Sequence, residues 1–93
     1  MLALVTGASS GIGLEYAKQL ARDYHIDLLL VSNQEQEQQQ VANELAATYG
    51  VKTIALYADL SQQDAAEKLF QYCVDNQLTV DILVNNAGVF FFN

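Results

Sequence analysis

The sequence predicts an α/β fold, a doubly wound parallel sheet of about four strands in the order 3-2-1-4 with three helices. Short apolar runs alternate along the chain with longer segments in which apolar residues recur every three or four positions, a spacing typical of helices. Each helical segment is about ten to fifteen residues long, which favours parallel strands joined by helices on both faces of one sheet. The order 3-2-1-4 is typical of such sheets.

Four short apolar segments are predicted to be the strands. They are Leu2–Val5, Asp27–Val31, Thr53–Ala58 and Asp81–Val84. Runs this short with so few polar residues are typical of parallel strands that are buried on both faces.

The first helix is predicted to follow the glycines after the first strand. One of its faces carries apolar residues at helical spacing and is expected to pack on the sheet. That face contains Ile12, Tyr16, Ala17, Leu20, Ala21 and Tyr24.

Capping patterns predict where the other two helices begin. Ser32 and Glu35 match a capping box before the second helix, which would bury Val41, Leu45 and Tyr49 and end at Gly50. The segment 61–64 offers a second capping pattern. The third helix is expected to bury Ala66, Leu69, Phe70, Cys73 and Val74.

The charge of the chain restricts its partners. Eleven acidic residues against four basic ones give a net charge of −7. This balance argues against a nucleic-acid surface and against binding to an anionic membrane. A phosphate ligand remains compatible, because backbone N–H groups can hold phosphates without Lys or Arg.

The sequence also contains no signal for a membrane span or for a metal site. The longest apolar runs, Leu28–Val31 and Val89–Phe92, are far shorter than the roughly 20 residues of a membrane span. The single cysteine, Cys73, excludes an internal disulfide and a thiolate metal site, and is predicted to be a core residue. His25 is predicted to be a plain loop residue. Without a secretory signature, the expected location is the cytoplasm.

The segment 6–13, TGASSGIG, follows the first strand and opens the first helix. Gly7 permits a sharp turn, Gly11 lets backbone approach a pyrophosphate, and Gly13 allows the helix to pack closely on the sheet. The free N–H groups at the start of the helix would then face the phosphates. The alternative is a glycine-containing turn without a ligand, which this position directly after the first strand disfavours.

Three motifs together resemble those of the short-chain dehydrogenase/reductase family. TGASSGIG resembles its cofactor signature, Asp59-Leu60 after the third strand resembles its adenine-contacting acidic position, and residues 85–88, NNAG, resemble the motif after its fourth strand. The resemblance covers essentially the whole chain. It implies a Rossmann-like domain over residues 1–93, the amino-terminal nucleotide-binding half of such an enzyme.

The resemblance also implies roles for single residues. The first motif would form the loop and line the pyrophosphate, Asp59 would bond the adenine amino group, and Leu60 would supply a backbone N–H and an apolar wall. The last motif would touch the adenosine ribose and tie the sheet together. The residues concerned are Gly7, Ser9, Ser10, Gly11, Ile12, Gly13, Asp59, Leu60, Asn85, Asn86, Ala87 and Gly88. Asp59 could instead be an N-terminal charge near the third helix, and the asparagines could be purely structural.

The end of the second strand bears on the choice between NAD and NADP. An acidic residue there favours NAD, because it repels a 2′-phosphate, and an arginine favours NADP. Ser32 and Asn33 are neither, and both could hydrogen-bond a 2′-phosphate. The prediction is therefore NADP rather than NAD, and the nearby Glu35 could reverse it.

Catalysis in the resembled family uses a Tyr-x-x-x-Lys pair, which these 93 residues do not contain. The resemblance implies a parent oxidoreductase that transfers hydride between the nicotinamide and a small carbonyl or alcohol substrate. The chain by itself is predicted to be inactive. A stand-alone nucleotide-binding or interaction module is the alternative. An open fourth-strand edge followed by Phe90–Phe92 further predicts self-association through that region.

Overall fold

Strands and helices alternate throughout the chain in the computed structural model, which describes residues 1–8 and 11–86. Within these ranges the elements are β1 (Leu2–Thr6), α1 (Gly11–Tyr24), β2 (Asp27–Ser32), α2 (Glu35–Tyr49), β3 (Thr53–Tyr57), α3 (Ala65–Asp75) and β4 (Ile82–Asn85). All strand pairs are parallel and the sheet order is β3-β2-β1-β4. The predicted fold class and order are confirmed, and each predicted strand end lies within one residue of its observed position.

The sheet is buried on both faces around its central strand, β1. In the parallel register Leu4 lies opposite Leu29 of β2 and Leu83 of β4. Leu4 and Leu29 pack on the α3 side, whereas their neighbours Val5 and Leu30 pack on the side of α1 and α2. All four of these core side chains are fully buried. Uninterrupted apolar strands are needed because successive residues enter opposite cores.

Two cores of unequal size result. The core under α1 and α2 contains Ala3, Val5, Ala8, Ala17, Ala21, Ile26, Leu28, Leu30, Val41, Ala42, Leu45 and Val51. The core under α3 contains Leu4, Leu29, Val31, Leu69 and Cys73. Cys73 is buried, which confirms the predicted core position, and burial raises the pKa of its thiol. His25 is exposed in the connection between α1 and β2, as predicted.

The predicted inward face of α1 is wrong in part. Ala17 and Ala21 are buried, and Leu20 packs against the same core. Ile12, Tyr16 and Tyr24 are instead exposed, Tyr24 by 70%. The stripe that meets the sheet runs through Gly13, Ala17 and Ala21. Small residues take this place because α1 approaches the sheet too closely for tyrosine side chains.

The capping box predicted before α2 is also wrong. Ser32 is the last residue of β2, and its Oγ accepts the N–H of Gln34 at 2.8 Å rather than that of Glu35. The helix begins at Glu35 without a side-chain cap, since the hydroxyl closes a tight turn instead. At the other end, Gly50 adopts a left-handed φ of 71° and donates to Ala46, which confirms the predicted glycine stop.

The inward face of α2 contains one residue that the apolar pattern missed. Val41 and Leu45 are buried as predicted, and Tyr49 packs against the same core. Gln38 is 1% exposed and its Nε2 donates to the carbonyl oxygen of Leu56 at 2.8 Å, which joins α2 to β3. Its Oε1 has no hydrogen-bond partner among the described residues.

The third helix begins later than its capping pattern predicts and buries a narrower stripe. It starts at Ala65, and Asp64 precedes it without a side-chain cap hydrogen bond. Leu69 and Cys73 are buried, but Phe70 and Val74 are 55% and 52% exposed. Within the described ranges α3 is the only helix that packs on this face of the sheet. The side of α3 that carries Phe70 and Val74 therefore has no second helix to pack against.

None of the helices in the described ranges is long and apolar enough to cross a membrane.

The inward face of α1 can be tested with two substitutions. We expect Ala17→Leu to lower the free energy of unfolding by about 1–3 kcal/mol, because the longer side chain overfills a close contact. Tyr24→Ser should change it by no more than about 0.5 kcal/mol, because the tyrosine is exposed. Urea unfolding followed by circular dichroism measures both. A larger loss for Tyr24→Ser than for Ala17→Leu would contradict the observed face.

Candidate functional site

Residues from all three predicted motifs lie at one edge of the sheet. Because the four strands are parallel, the segments that follow their carboxyl ends meet at the same edge. Gly7 follows β1, Asn33 follows β2, Asp59 follows β3 and Asn86 follows β4. This edge is the usual ligand position in open α/β sheets. Ser9, Ser10, Ala87 and Gly88 of the predicted site lie outside the described residues, as does Phe90–Phe92.

The turn after β1 is made by Gly7. Its φ is 64°, in the left-handed region that glycine adopts without strain. Its N–H donates to the carbonyl oxygen of Val31 at 2.8 Å, so the chain leaves the sheet directly after this bond. A Cβ at Gly7 would lie 3.3 Å from the backbone oxygen of Asn86. The turn is therefore held between β2 and the end of β4.

Gly13 is required by a backbone contact rather than by its own conformation. A Cβ on this buried glycine would lie 2.2 Å from the carbonyl oxygen of Gly7 and 3.0 Å from Nδ2 of Asn86. No side chain fits at the first distance. The close packing predicted for Gly13 is thus a contact between the first turn of α1 and the turn at Gly7.

Gly11 differs from the other two glycines. Its φ is 62°, yet a Cβ there would have no atom within 4 Å. The residue is exposed at the first position of α1. Among the residues that the structure describes, the space beside Gly11 is therefore open, as an approaching phosphate would need.

The amino-terminal end of α1 suits an anion. Its first turn contains no acidic residue, whereas α2 begins with Glu35 and Glu37 and the first turn of α3 contains Glu67. The positive end of the α1 dipole and its free N–H groups are thus not neutralised by a carboxylate on the same turn. Ile12, the second residue of α1, is 65% exposed at this end.

Thr6, the first residue of the TGASSGIG segment, connects β1 to the end of β4, although the motif predicts no role for it. Its side chain is fully buried. The hydroxyl donates to Oδ1 of Asn85 at 3.0 Å and accepts the backbone N–H of Asn86 at 2.8 Å. A polar residue at the end of an apolar strand was the signal that could have found it. Because these bonds fix the segment 85–86 beside the Gly7 turn, Thr6 is a positioning residue for the site.

The two asparagines have structural contacts of their own. Asn85 accepts from Thr6, and the side-chain amide of Asn86 lies next to Gly7 and Gly13. Both residues are nevertheless exposed. The structural alternative for this motif is therefore supported, and a ribose contact remains a prediction.

Asp59 is held in a turn by its own neighbours. Its Oδ1 accepts the hydroxyl of Ser61 at 2.6 Å and its backbone N–H at 3.1 Å, and its Oδ2 accepts from Gln62 at 3.3 Å. The Ser61 hydroxyl and backbone N–H, followed by Gln62, lower the pKa of this carboxyl, so it is ionised at neutral pH. Both oxygens retain lone pairs for an external donor.

An N-terminal charge near α3 stays the alternative prediction for Asp59. Asp64 precedes that helix, Glu67 lies in its first turn, and Asp59 lines the same cavity as Asp64 and Ala65. Leu60 is half-buried and packs against the α3 core, and a cavity of about 390 Å³ opens beside Asp59 between β3 and α3. An adenine contact at Asp59 and Leu60 thus stays a prediction.

Ser32, the last residue of β2, and Asn33, which follows it, differ in how accessible their side chains are to a ligand. Ser32 is 5% exposed, its Oγ already accepts from Gln34, and its carbonyl oxygen accepts the N–H of Ala58 at 3.0 Å. Asn33 is exposed. Asn33 is therefore the better placed of the two for a group on the adenosine ribose. In the described ranges, no three His, Cys, Asp or Glu side chains are grouped to hold a metal ion.

Comparison with known proteins shows the class to which this fold and site belong. The sequence profile described as short chain dehydrogenase matches residues 1–92, and the chain belongs to that family. The chain is 39% identical to very-long-chain 3-oxoacyl-CoA reductase-A of Danio rerio, over 94% of this chain and 26% of the relative. It is 38% identical to the human inactive hydroxysteroid dehydrogenase-like protein 1, over 96% of this chain and 26% of the relative.

Solved structures agree with this family. A short-chain dehydrogenase from Sphingobium yanoikuyae in complex with NADPH is 36% identical with a TM-score of 0.82, over 95% of this chain and 34% of that one. The L-sorbose reductase of Gluconobacter frateurii, complexed with NADPH and L-sorbose, is 31% identical with a TM-score of 0.86, over 95% and 33%. This chain therefore spans about a quarter to a third of the length of these relatives.

The contact between Gly13 and Gly7 can be tested against Gly11. We expect Gly13→Ala to lower the free energy of unfolding by at least about 3 kcal/mol, because the new methyl group meets a backbone oxygen. Gly11→Ala should cost only about 1–2 kcal/mol, for the left-handed backbone alone. Denaturant unfolding of both variants decides the matter. Equal losses of unfolding free energy would contradict the close contact between Gly13 and the Gly7 carbonyl oxygen.

Proposed function

We propose that this chain holds the adenosine and pyrophosphate parts of a nicotinamide dinucleotide, NADP(H) in preference to NAD(H). The observation that carries the proposal is the amino-terminal end of α1. Its first turn has no acidic residue, and among the described residues no atom lies within 4 Å of a Cβ built on Gly11. A pyrophosphate needs N–H donors and room at such an end, and the residues present fit it. Two similar solved structures, at 36% and 31% identity, are complexes with NADPH.

In this proposal each motif holds a different part of the dinucleotide. The N–H groups of the α1 amino terminus bind the pyrophosphate, and Ile12 packs beside it. The ionised Asp59 accepts from the adenine amino group, with Leu60 beside the ring. Asn33 and the segment 85–88 contact the adenosine ribose, while Thr6 keeps the last segment in place.

The proposal extends to the whole protein as an oxidoreductase. Residues 1–93 would form the amino-terminal part of its dinucleotide-binding domain, and a cytoplasmic setting accords with the single cysteine. The bound nicotinamide supplies or accepts hydride, and the other reactant is a small carbonyl or alcohol. The 93 residues contain no Tyr-x-x-x-Lys, so this chain by itself binds the dinucleotide and does not turn over substrate.

A second candidate is a nucleotide-binding module without enzyme activity. The observation in its favour is the 38% identity to a human relative named as an inactive hydroxysteroid dehydrogenase-like protein. Both candidates use the same edge of the sheet. They differ in whether hydride transfer occurs in the whole protein, which a carbonyl-reduction assay with NADPH distinguishes.

The binding proposal predicts that the chain quenches or shifts NADPH fluorescence on titration. Ile12→Asp should weaken this binding about tenfold or more, because a carboxylate at the start of α1 repels the pyrophosphate. Gln19→Asp adds the same charge to an exposed position further along α1 and should leave binding nearly unchanged. If neither NADPH nor NADH binds to the unmodified chain, the proposed function is wrong.

We also propose that the 93-residue chain self-associates through β4. This strand pairs only with β1 within the described ranges, so its other edge is open. Leu83 on β4 is exposed and lies opposite Leu4 in register, on the side of the sheet covered by α3. Phe70 and Val74 of α3 are exposed too. Phe90–Phe92, also expected to take part, lies beyond the residues described.

Sedimentation velocity tests this association. The unmodified chain should sediment as a dimer or larger species, and Leu83→Lys should shift it towards the monomer, because a charged residue on an edge strand opposes pairing. Tyr57→Lys places the same charge on the exposed end of β3 and should have no such effect. A monomeric unmodified chain would contradict the proposal.

A further inference from the structure

Gln38 is a polar residue in the otherwise apolar buried stripe of α2. The other buried residues of this helix are Val41, Ala42 and Leu45. Gln38 itself is 1% exposed. Its Nε2 donates to the Leu56 carbonyl oxygen, but its Oε1 has no hydrogen-bond partner among the described residues. A buried acceptor without a partner destabilises a fold, and an apolar side chain of the same length would avoid this loss. Packing alone therefore does not explain a glutamine at this position.

The contacts of Gln38 complete a closed ring of hydrogen bonds at the carboxyl-terminal edge of the sheet. Its backbone N–H donates to the carbonyl oxygen of Gln34 at 3.0 Å, and the Gln34 N–H donates to Ser32 Oγ at 2.8 Å. The Ser32 carbonyl oxygen accepts the N–H of Ala58 at 3.0 Å. Two residues before Ala58, the Leu56 carbonyl oxygen accepts from the Gln38 side chain at 2.8 Å. The ring thus joins the end of β2, the start of α2 and the end of β3.

Two residues of the candidate site are attached directly to this ring. Asn33 lies in the turn between β2 and α2, and Asp59 follows Ala58 after β3. The ring therefore limits how far the Asn33 turn can move from the Asp59 segment. Gln38 supplies its link from α2 to β3. Without that link, only the backbone bond between Ser32 and Ala58 would close the ring on this side.

A second side-chain hydrogen bond joins α2 to β3 at the opposite end of the strand. Thr53 Oγ1 donates to the carbonyl oxygen of Ala42 at 2.9 Å. Thr53 is the first residue of β3, whereas Leu56 is the last but one. The Thr53 bond thus lies away from the edge at which Asn33 and Asp59 meet. It serves as a comparison, because it attaches the same helix to the same strand without belonging to the ring.

We propose that Gln38 is a positioning residue for the adenosine part of the dinucleotide site, which holds the Asn33 turn and the Asp59 segment at a fixed separation. The inference rests on the proposed function. Affinity depends on such an arrangement because groups that are already in place lose less freedom when a ligand binds. The pyrophosphate part, at the start of α1, lies outside the ring and should not depend on it.

The test compares Gln38→Met with Thr53→Val. Methionine keeps the length of the side chain, but it neither donates to Leu56 nor leaves an unpaired amide oxygen. Valine keeps the shape of threonine without its hydroxyl, so each variant loses one hydrogen bond between α2 and β3. Each protein is titrated with NADPH by fluorescence, and with ADP and inorganic pyrophosphate by calorimetry. ADP contains the adenosine part, and pyrophosphate does not.

We expect Gln38→Met to weaken binding of NADPH and ADP about threefold to tenfold and to change binding of pyrophosphate less than about twofold. Thr53→Val should change all three dissociation constants less than about twofold. Gln38→Met should lower the melting temperature no more than Thr53→Val does, because it also removes the unpaired oxygen. A loss of affinity without a larger loss of stability distinguishes a positioning role from a structural one.

Hydrogen exchange provides a second measurement. The Ala58 N–H closes the ring, whereas the Leu28 N–H donates to the Lys52 carbonyl oxygen at 2.9 Å, at the other edge of the sheet. Gln38→Met should speed exchange of the Ala58 amide relative to that of Leu28. If Gln38→Met does not fold, Gln38→Asn replaces it in both measurements, because the shorter amide does not reach Leu56.

Four results would overturn the inference. Gln38→Met could leave NADPH binding unchanged, it could weaken ADP and pyrophosphate equally, it could leave Ala58 exchange unaltered, or Thr53→Val could weaken NADPH binding as much. A failure of the proposed function looks different, because the unmodified chain would then bind neither NADPH nor NADH.

Discussion

The contact of α1 with the turn at Gly7 is the constraint on which the rest of the structure depends. Gly13 can sit against the Gly7 carbonyl only because it lacks a Cβ. This contact brings the start of α1 close to the sheet, and the stripe through Ala17 and Ala21 continues the close approach along the helix. The same approach turns Tyr16 and Tyr24 outwards. One backbone contact thus determines both the packing of the helix and the direction in which its free N–H groups point.

An acidic protein can offer an anion site here because the charge is distributed unevenly. The chain has a net charge of −7, yet the first turn of α1 has no carboxylate. Attraction at that point comes from backbone dipoles, which are fixed by the fold and need no lysine or arginine. At the neighbouring end of β2, the first turn of α2 carries the negative charges of Glu35 and Glu37. The pyrophosphate and the adenosine ribose of a bound dinucleotide would therefore meet different electrostatic environments along one sheet edge.

The sequence predicted the fold class and the glycine stop of α2, because both depend on local pattern or backbone conformation. The strand order was predicted as the one typical of doubly wound sheets. The sequence predicted the inward faces of α1 and α3 only in part, since periodicity indicates a helix but does not decide between adjacent stripes of small and large apolar residues. The Ser32 hydroxyl accepts the N–H of Gln34 and does not cap α2, because the position of the turn decides which N–H group lies next to it. Thr6 was missed because its partners, Asn85 and Asn86, are distant in sequence and become neighbours only through the pairing of β1 with β4.

The unequal size of the two cores has a consequence for local opening. Two helices, α1 and α2, cover the larger core. Among the described residues α3 alone covers the smaller one, with Ala65, Leu69 and Cys73 as its buried residues. A helix anchored by so few side chains separates from the sheet at a lower free energy than the global unfolding of the chain. The amides of α3 should thus exchange with solvent hydrogen before those of β1 and β2. We therefore expect α3, beside Asp59, to be less stable than the central sheet with α1 and α2.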